Sequence, residues 1–109
     1  MASTLKVLSQ TNPSATTLTD SYTVPGATTA TVSSLVVANR SATATSFRVS
    51  VAVAGAADNA KQYLYYDVPI AGNDTFTGTL GLSLGAADVI RVYATLATLS
   101  FNIFGVELS

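Results

Sequence analysis

The segment SFRVSVAVAG, residues 46–55, alternates apolar with polar or small side chains at a period of two. Phe47, Val49, Val51 and Val53 fall on one side of an extended chain, and Arg48, Ser50, Ala52 and Ala54 on the other. A helix would scatter these residues around its axis, whereas a strand gathers the apolar ones onto one face. The same period recurs along nearly the whole chain, in stretches rich in threonine and valine. Their branched Cβ atoms lose rotamer freedom in a helix and fit a pleated sheet. At 109 residues the chain is expected to form one all-β domain, 1–109.

The alternation predicts strands near 5–9, 17–24, 29–39, 46–54, 61–68, 75–82, 88–96 and 98–108. Asn12-Pro13, Pro25-Gly26, the run 55–59 and Gly72-Asn73-Asp74 supply the turns between them. Pro69 either ends the fifth strand or puts it at a sheet edge, because proline cannot donate to a ladder. Gly81 inside the sixth marks a bulge or bend. SLGAAD, 83–88, has room for one helical turn capped by Ser83. Residues 1–13 form an N-terminal arm or the first strand. About seven or eight short strands separated by such turns indicate an antiparallel β-sandwich, jelly-roll or Ig-like. The chain lacks both cysteine and tryptophan, so the Cys-Trp-Cys core of immunoglobulin domains lends no support to the second topology.

Composition narrows the chemistry. With no histidine and no cysteine, the commonest general base, the commonest metal ligand and every thiolate are missing. The carboxylates Asp20, Asp58, Asp67, Asp74, Asp88 and Glu107 are dispersed, and all but Glu107 lie at or near expected turns, where aspartate bonds its own backbone. No enzymatic activity, cofactor or metal is expected. Charged residues make up 10% of the chain, against about 25% in an ordinary domain. The net charge of −1 leaves no electrostatic footprint for nucleic acid. The longest apolar stretch falls far short of the ~20 residues of a membrane helix. The first residues lack the basic start and apolar run of a secretory signal, so Sec export is not expected. A surface of small apolar and hydroxyl residues with few charges suits contact with other protein, where charges are depleted.

The segment KQYLYYDVPIAGNDTF, 61–76, holds three of the five tyrosines. Uninterrupted alternation directs Tyr63, Tyr65 and Asp67 outward and Leu64, Tyr66 and Val68 into the core. Two outward tyrosines make an amphipathic platform. Tyrosine is enriched at protein interfaces, and aromatic strips also stack sugars. Tyr63, Tyr65 and Asp67, together with Arg40 and Arg48, are the candidate interface residues.

The stretches TLTDSYTVP, VANRSATATSFRVSVA, QYLYYDVPIAGNDTF and DVIRVYA…LSFNIFG extend over most of the chain. In them the protein resembles small β-rich virion proteins of tailed bacteriophages. That resemblance implies a particle-bound structural protein without catalytic residues, located in the virion and assembled in the host bacterial cytoplasm. The expected role is a capsid decoration or cement protein. It would be a homo-oligomer, a trimer at local three-fold positions, bound to the major capsid protein or another virion protein, with neither nucleic acid nor membrane as partner. A tail, baseplate or fibre-associated subunit and a carbohydrate-binding adhesion module stay open beside it.

Overall fold

The computed structural model describes residues 2–109. Eight strands follow one another: β1 (Ser3–Thr11), β2 (Thr19–Thr23), β3 (Thr29–Asn39), β4 (Thr45–Ala52), β5 (Tyr63–Ile70), β6 (Thr75–Leu84), β7 (Val89–Ala94) and β8 (Leu99–Leu108). Two 3-10 turns, Val53–Gly55 and Ala60–Gln62, lie between β4 and β5. The strands form two four-stranded sheets, β1-β8-β3-β6 (sheet 1) and β2-β7-β4-β5 (sheet 2), with every strand pair antiparallel. Only β4 and β5 are both consecutive and paired; every other connection crosses between sheets. Two interlocked four-strand keys of this kind are a jelly roll. Of the two topologies left open by the sequence, this is the one adopted.

The core lies between the inner faces. Phe47 of β4 meets Phe76 of β6 and Phe101 of β8 across the gap, with ring centroids 5.2 and 5.9 Å away. Leu35, Val37, Val49, Val92, Leu99 and Ile103 complete a dry layer in which each is at most 2% exposed. Burying each such side chain contributes about 1.5–3 kcal/mol relative to leaving it in water. The alternation read from β7 and β8 is largely the alternation of burial, whereas in β4 it holds only through Val49: Ser50 and Ala52 are fully buried and Val51 is half-buried.

Residues 3–11 are a full strand, paired from Ser3↔Leu108 to Thr11↔Phe101, rather than an arm. Pro69 does lie on an edge strand, β5. The bulge expected at Gly81 is present: Leu80 and Gly81 together oppose Ser33. It belongs to a row. Leu8 in β1 and Ser33 in β3 are extra residues at the same level of sheet 1, on either side of Phe104 and Gly105 in β8. Each bulge adds local twist. Gly105 stands where they converge, and a Cβ there would run into the carbonyl oxygen of Thr31.

Two expectations are corrected. Val53 leaves the core face and is 70% exposed, because β4 stops at Ala52 and Ala54 turns the chain with φ 54°. Ser83 caps no helical turn; it is part of β6, and 85–88 is a tight turn. There the Asp88 carboxylate accepts from the Gly85 and Ala54 amides, and Ala87 has φ 69°.

Candidate functional site

Strand β5 does not keep the strict alternation expected of it. Ser50 pairs with Tyr63 and Val49 with Tyr65, so Leu64 is an extra residue. Val49 then pairs with Tyr65 and Phe47 with Val68, so Tyr66 and Asp67 together oppose Arg48. Asp67 takes φ 51°, the left-handed conformation that aspartate tolerates better than most side chains. Each bulge shifts the facing by one residue. Tyr65 therefore points inward, with its ring 6.3 Å from Phe47 and 5.4 Å from Phe76. Tyr66 points outward and is 60% exposed. The outward assignment of Tyr65 and the inward ones of Leu64 and Tyr66 are thus corrected, while Tyr63 and Asp67 face out and Val68 packs against the core as expected.

On the outer face of sheet 2 these residues meet a second pair. Arg48 on β4 stands opposite Tyr93 on β7. Its guanidinium carbon lies 4.2 Å from the centroid of the Tyr66 ring and 4.5 Å from that of Tyr93. Both rings thus offer a π-face to one cation. Asp67 closes the arrangement: Arg48 Nε donates to Oδ1 at 2.6 Å and Nη2 to Oδ2 at 3.3 Å. That hydrogen bond raises the Arg48 pKa above its already high ordinary value. Tyr63 continues the stack edge-on to Tyr66, with centroids 5.2 Å apart, and its hydroxyl donates to Asp58 Oδ1 at 2.9 Å. Burial, then the Asp58 contact, push the Tyr63 hydroxyl pKa upward. Tyr63, Tyr66, Arg48 and Tyr93 therefore form one continuous, mutually braced platform.

The platform is self-satisfied. With a ring on each side and a carboxylate on its fork, Arg48 has little left to offer an anionic ligand. Arg91, diagonal to it on the same face, is also engaged. Its Nε donates to Asp20 at 2.9 Å, and its Nη atoms reach the carbonyls of Ala56 and Gly55, tying the 53–62 loop to the sheet. So two of the arginines scattered in sequence share one face, each with its own carboxylate. Arg40 is not brought to them; it follows β3 and donates to the Ala97 carbonyl in the β7–β8 turn. Sequence reasoning missed Tyr66 and Tyr93. A period of two puts Tyr93 on the same face of β7 as Arg91, but pairing it with Arg48 requires knowing that β4 and β7 are neighbours.

The remaining carboxylates do not converge with these. Glu107 accepts from Lys6 at 3.2 Å and from the Tyr22 hydroxyl, and these two contacts lower its pKa. Burial, then Glu107, raise that of Tyr22 well above the ordinary tyrosine value. Asp74 accepts from the Thr75 amide. Among the described residues no group of three or more carboxylates could hold a metal ion, and no helix is long and apolar enough to cross a membrane.

The outer face of sheet 1 differs in kind. Its rows run Leu5–Val106–Thr31–Ser83, Val7–Phe104–Ser34–Thr79 and Gln10–Asn102–Val36–Thr77 across the four strands. Lys6 and Glu107 are the charged residues of this sheet's strands, and both lie in the rows of the opposite, inner face with Ala30 and Val32. Among the described residues the outer face of sheet 1 therefore bears no charge. One molecule presents two unlike surfaces, an aromatic platform of internally paired charges and a plane of hydroxyl, amide and aliphatic groups. Comparison of the chain with known protein families, curated proteins and solved structures finds no match.

Proposed function

We propose that this protein is a non-enzymatic structural subunit of a tailed-bacteriophage particle, a decoration or cement protein that binds the assembled shell and stabilises it. The observation that carries the reading is the braced platform of Tyr63, Tyr66, Arg48 and Tyr93 on sheet 2. Tyrosine and arginine are the residues that anchor protein interfaces, and here their rotamers are fixed before any partner arrives, so little side-chain entropy remains to be lost on binding. Arg48 has its charge met internally, which favours a protein surface over an anionic small molecule. The resemblance to phage virion proteins supplies the setting. The jelly roll agrees with it, although that fold serves lectins and enzymes as well. A subunit that binds only the assembled shell stabilises it by mass action.

The test is occupancy of this protein on purified particles, with the melting temperature of the shell, for wild type and for Tyr66→Ala and Arg48→Ala. Reduced occupancy with a less stable shell is expected. Full occupancy and an unchanged shell, with loss of adsorption to host glycans, would replace this reading with the adhesion module. Imaging that puts the subunit on the tail would replace the shell with the tail as its partner.

A further inference from the structure

We infer that the charge-free outer face of sheet 1 is a contact surface for a second copy of this chain. The inference does not depend on the virion reading and concerns the face opposite the tyrosine platform.

Its first support is electrostatic self-complementarity. In a two-fold contact the same patch meets itself, so a charged group lying near the axis faces its own like charge. Across an ordinary domain face of this size several charges are expected, since about a quarter of residues carry one. Here the chain's eleven charged residues are placed on the other sheet, in turns, or, as the partly exposed Lys6–Glu107 pair, in the inner-face rows of sheet 1. A face without charge can meet its own copy at no repulsive cost.

Its second support is exposure. Leu5 is 87% exposed and Val7 45% exposed. They lie directly opposite Val106 and Phe104, both only half-buried, so four apolar side chains form one contiguous block. At about 25 cal/mol per Å² of apolar surface, leaving such a block in water is unfavourable, and a copy that covers it recovers that free energy. The block sits at the β1 side of the face. Beyond it, β3 and β6 present hydroxyls from Thr31, Thr77, Thr79 and Ser83, which act as donor or acceptor equally well. That ambivalence also suits contact with an identical surface.

Its third support is area. Four strands about 4.8 Å apart and about ten residues long, at about 3.3 Å per residue, give a projected footprint of roughly 600 Å². The accessible surface of a ridged sheet exceeds its projection, and stable interfaces take about 800 Å² from each partner. The face is therefore of the size a specific homo-oligomer uses, with sheets packed face to face about 10 Å apart.

The experiment is sedimentation equilibrium on the purified chain across a concentration series, with a melting scan on every variant. Wild type is expected to sediment as an oligomer. Leu5→Asp, at a position too exposed to matter for folding, and Thr77→Lys, at the far side of the face, are each expected to sediment as the 11.1 kDa monomer and to retain a cooperative melt. Thr23→Asp, exposed on β2 of the other sheet, is expected to keep the wild-type mass. A wild type that stays monomeric up to about 1 mM, the regime of marginal affinities, overturns the inference, even if particles later capture it. So does an oligomer whose mass is unchanged in both Leu5→Asp and Thr77→Lys.

Discussion

The Arg48 guanidinium lies 4.2 Å over the Tyr66 ring, and it does so because Tyr66 and Asp67 together oppose Arg48 in the ladder. The bulge turns one tyrosine out and sets an aspartate beside the cation it serves. Each exposed cation–π contact contributes about 0.5–1 kcal/mol. The Arg48–Asp67 pair, with side chains 24% and 47% exposed, adds little more, since exposed ion pairs contribute about 0–1 kcal/mol. Arg48→Met is expected to lower unfolding stability by about 1–2 kcal/mol. A urea double-mutant cycle with Tyr66→Leu should return a coupling of about 0.5–1 kcal/mol; a coupling indistinguishable from zero would show that the stack contributes nothing.

Asp67 has φ 51°, so its substitution tests the backbone rather than the charge. Glycine adopts that conformation freely and a β-branched residue adopts it poorly. Asp67→Gly is expected to be near neutral, because released strain offsets the lost ion pair. Asp67→Val is expected to cost about 1–3 kcal/mol. Chemical denaturation of the two variants compares them directly, and equal losses would locate the effect in the carboxylate alone.

Asn39, only 4% exposed, ties three loops together. Its Nδ2 donates to the carbonyls of Thr43 and Ala71, and its Oδ1 accepts from the Ser41 amide and the Thr98 hydroxyl. Asn39→Ala strands several of those groups away from water and is expected to cost roughly 3 kcal/mol. Asn39→Asp keeps the acceptor, loses the two donors and should be comparably harmful. Thermal melts check both.

Gly105 has no room for a side chain, since a Cβ would meet the Thr31 carbonyl and the Leu8 side chain. Gly105→Ala is expected to destabilise by about 2 kcal/mol or more, because backbone must shift to accommodate it. Gly81 has open space around it, and Gly81→Ala is expected to be well tolerated. A larger loss at Gly81 than at Gly105 in the same denaturation series would contradict this account.

Glu107 predicts the acid response. Its folded pKa is lowered by the Tyr22 hydroxyl and by Lys6, so the unfolded chain binds the proton more tightly. The stability it contributes is therefore present above the ordinary carboxylate range and lost as pH falls through the lowered folded value. The melting-temperature gap between wild type and Glu107→Gln should be open at neutral pH and close as pH falls below the ordinary carboxylate range. Tyr22 acts at the other end. Its raised pKa means that its contribution is lost as pH rises above about 10. A gap that widens in acid would reverse the sign and refute the assignment.

Much of this fold was legible in sequence because its strands are one-sided. β3, β7 and β8 each bury mainly one face, and their apolar residues announce it; β4 does so only as far as Val49. Proline at 69 and glycine at 81 were read from the ladder geometry each residue imposes. The platform was legible only in part. Tyr63, Asp67 and Arg48 were picked out, but Tyr65 and Tyr66 were exchanged, because two bulges within five residues reset the alternation and neither contains a glycine to mark it. The neutrality of the sheet 1 face was invisible for another reason: it is a property of four strands together, and no one of them is unusual alone.

The place of β8 has a consequence for the order of events in folding. β8, the last of these eight strands in chain order, is an inner one, hydrogen-bonded to β1 on one side and β3 on the other. Until it emerges, sheet 1 has no centre, and β1 waits with its ladder N–H and C=O groups unpaired. Closing a pair from opposite ends of the chain carries a large loop entropy, and such non-local pairing makes β-sandwiches fold in milliseconds to seconds. Stopped-flow refolding measures this directly, and microsecond kinetics would exclude it. The nascent chain therefore passes through a long-lived state with sticky strands exposed, and its yield in the cell should depend on temperature and on chaperones more steeply than its final stability does.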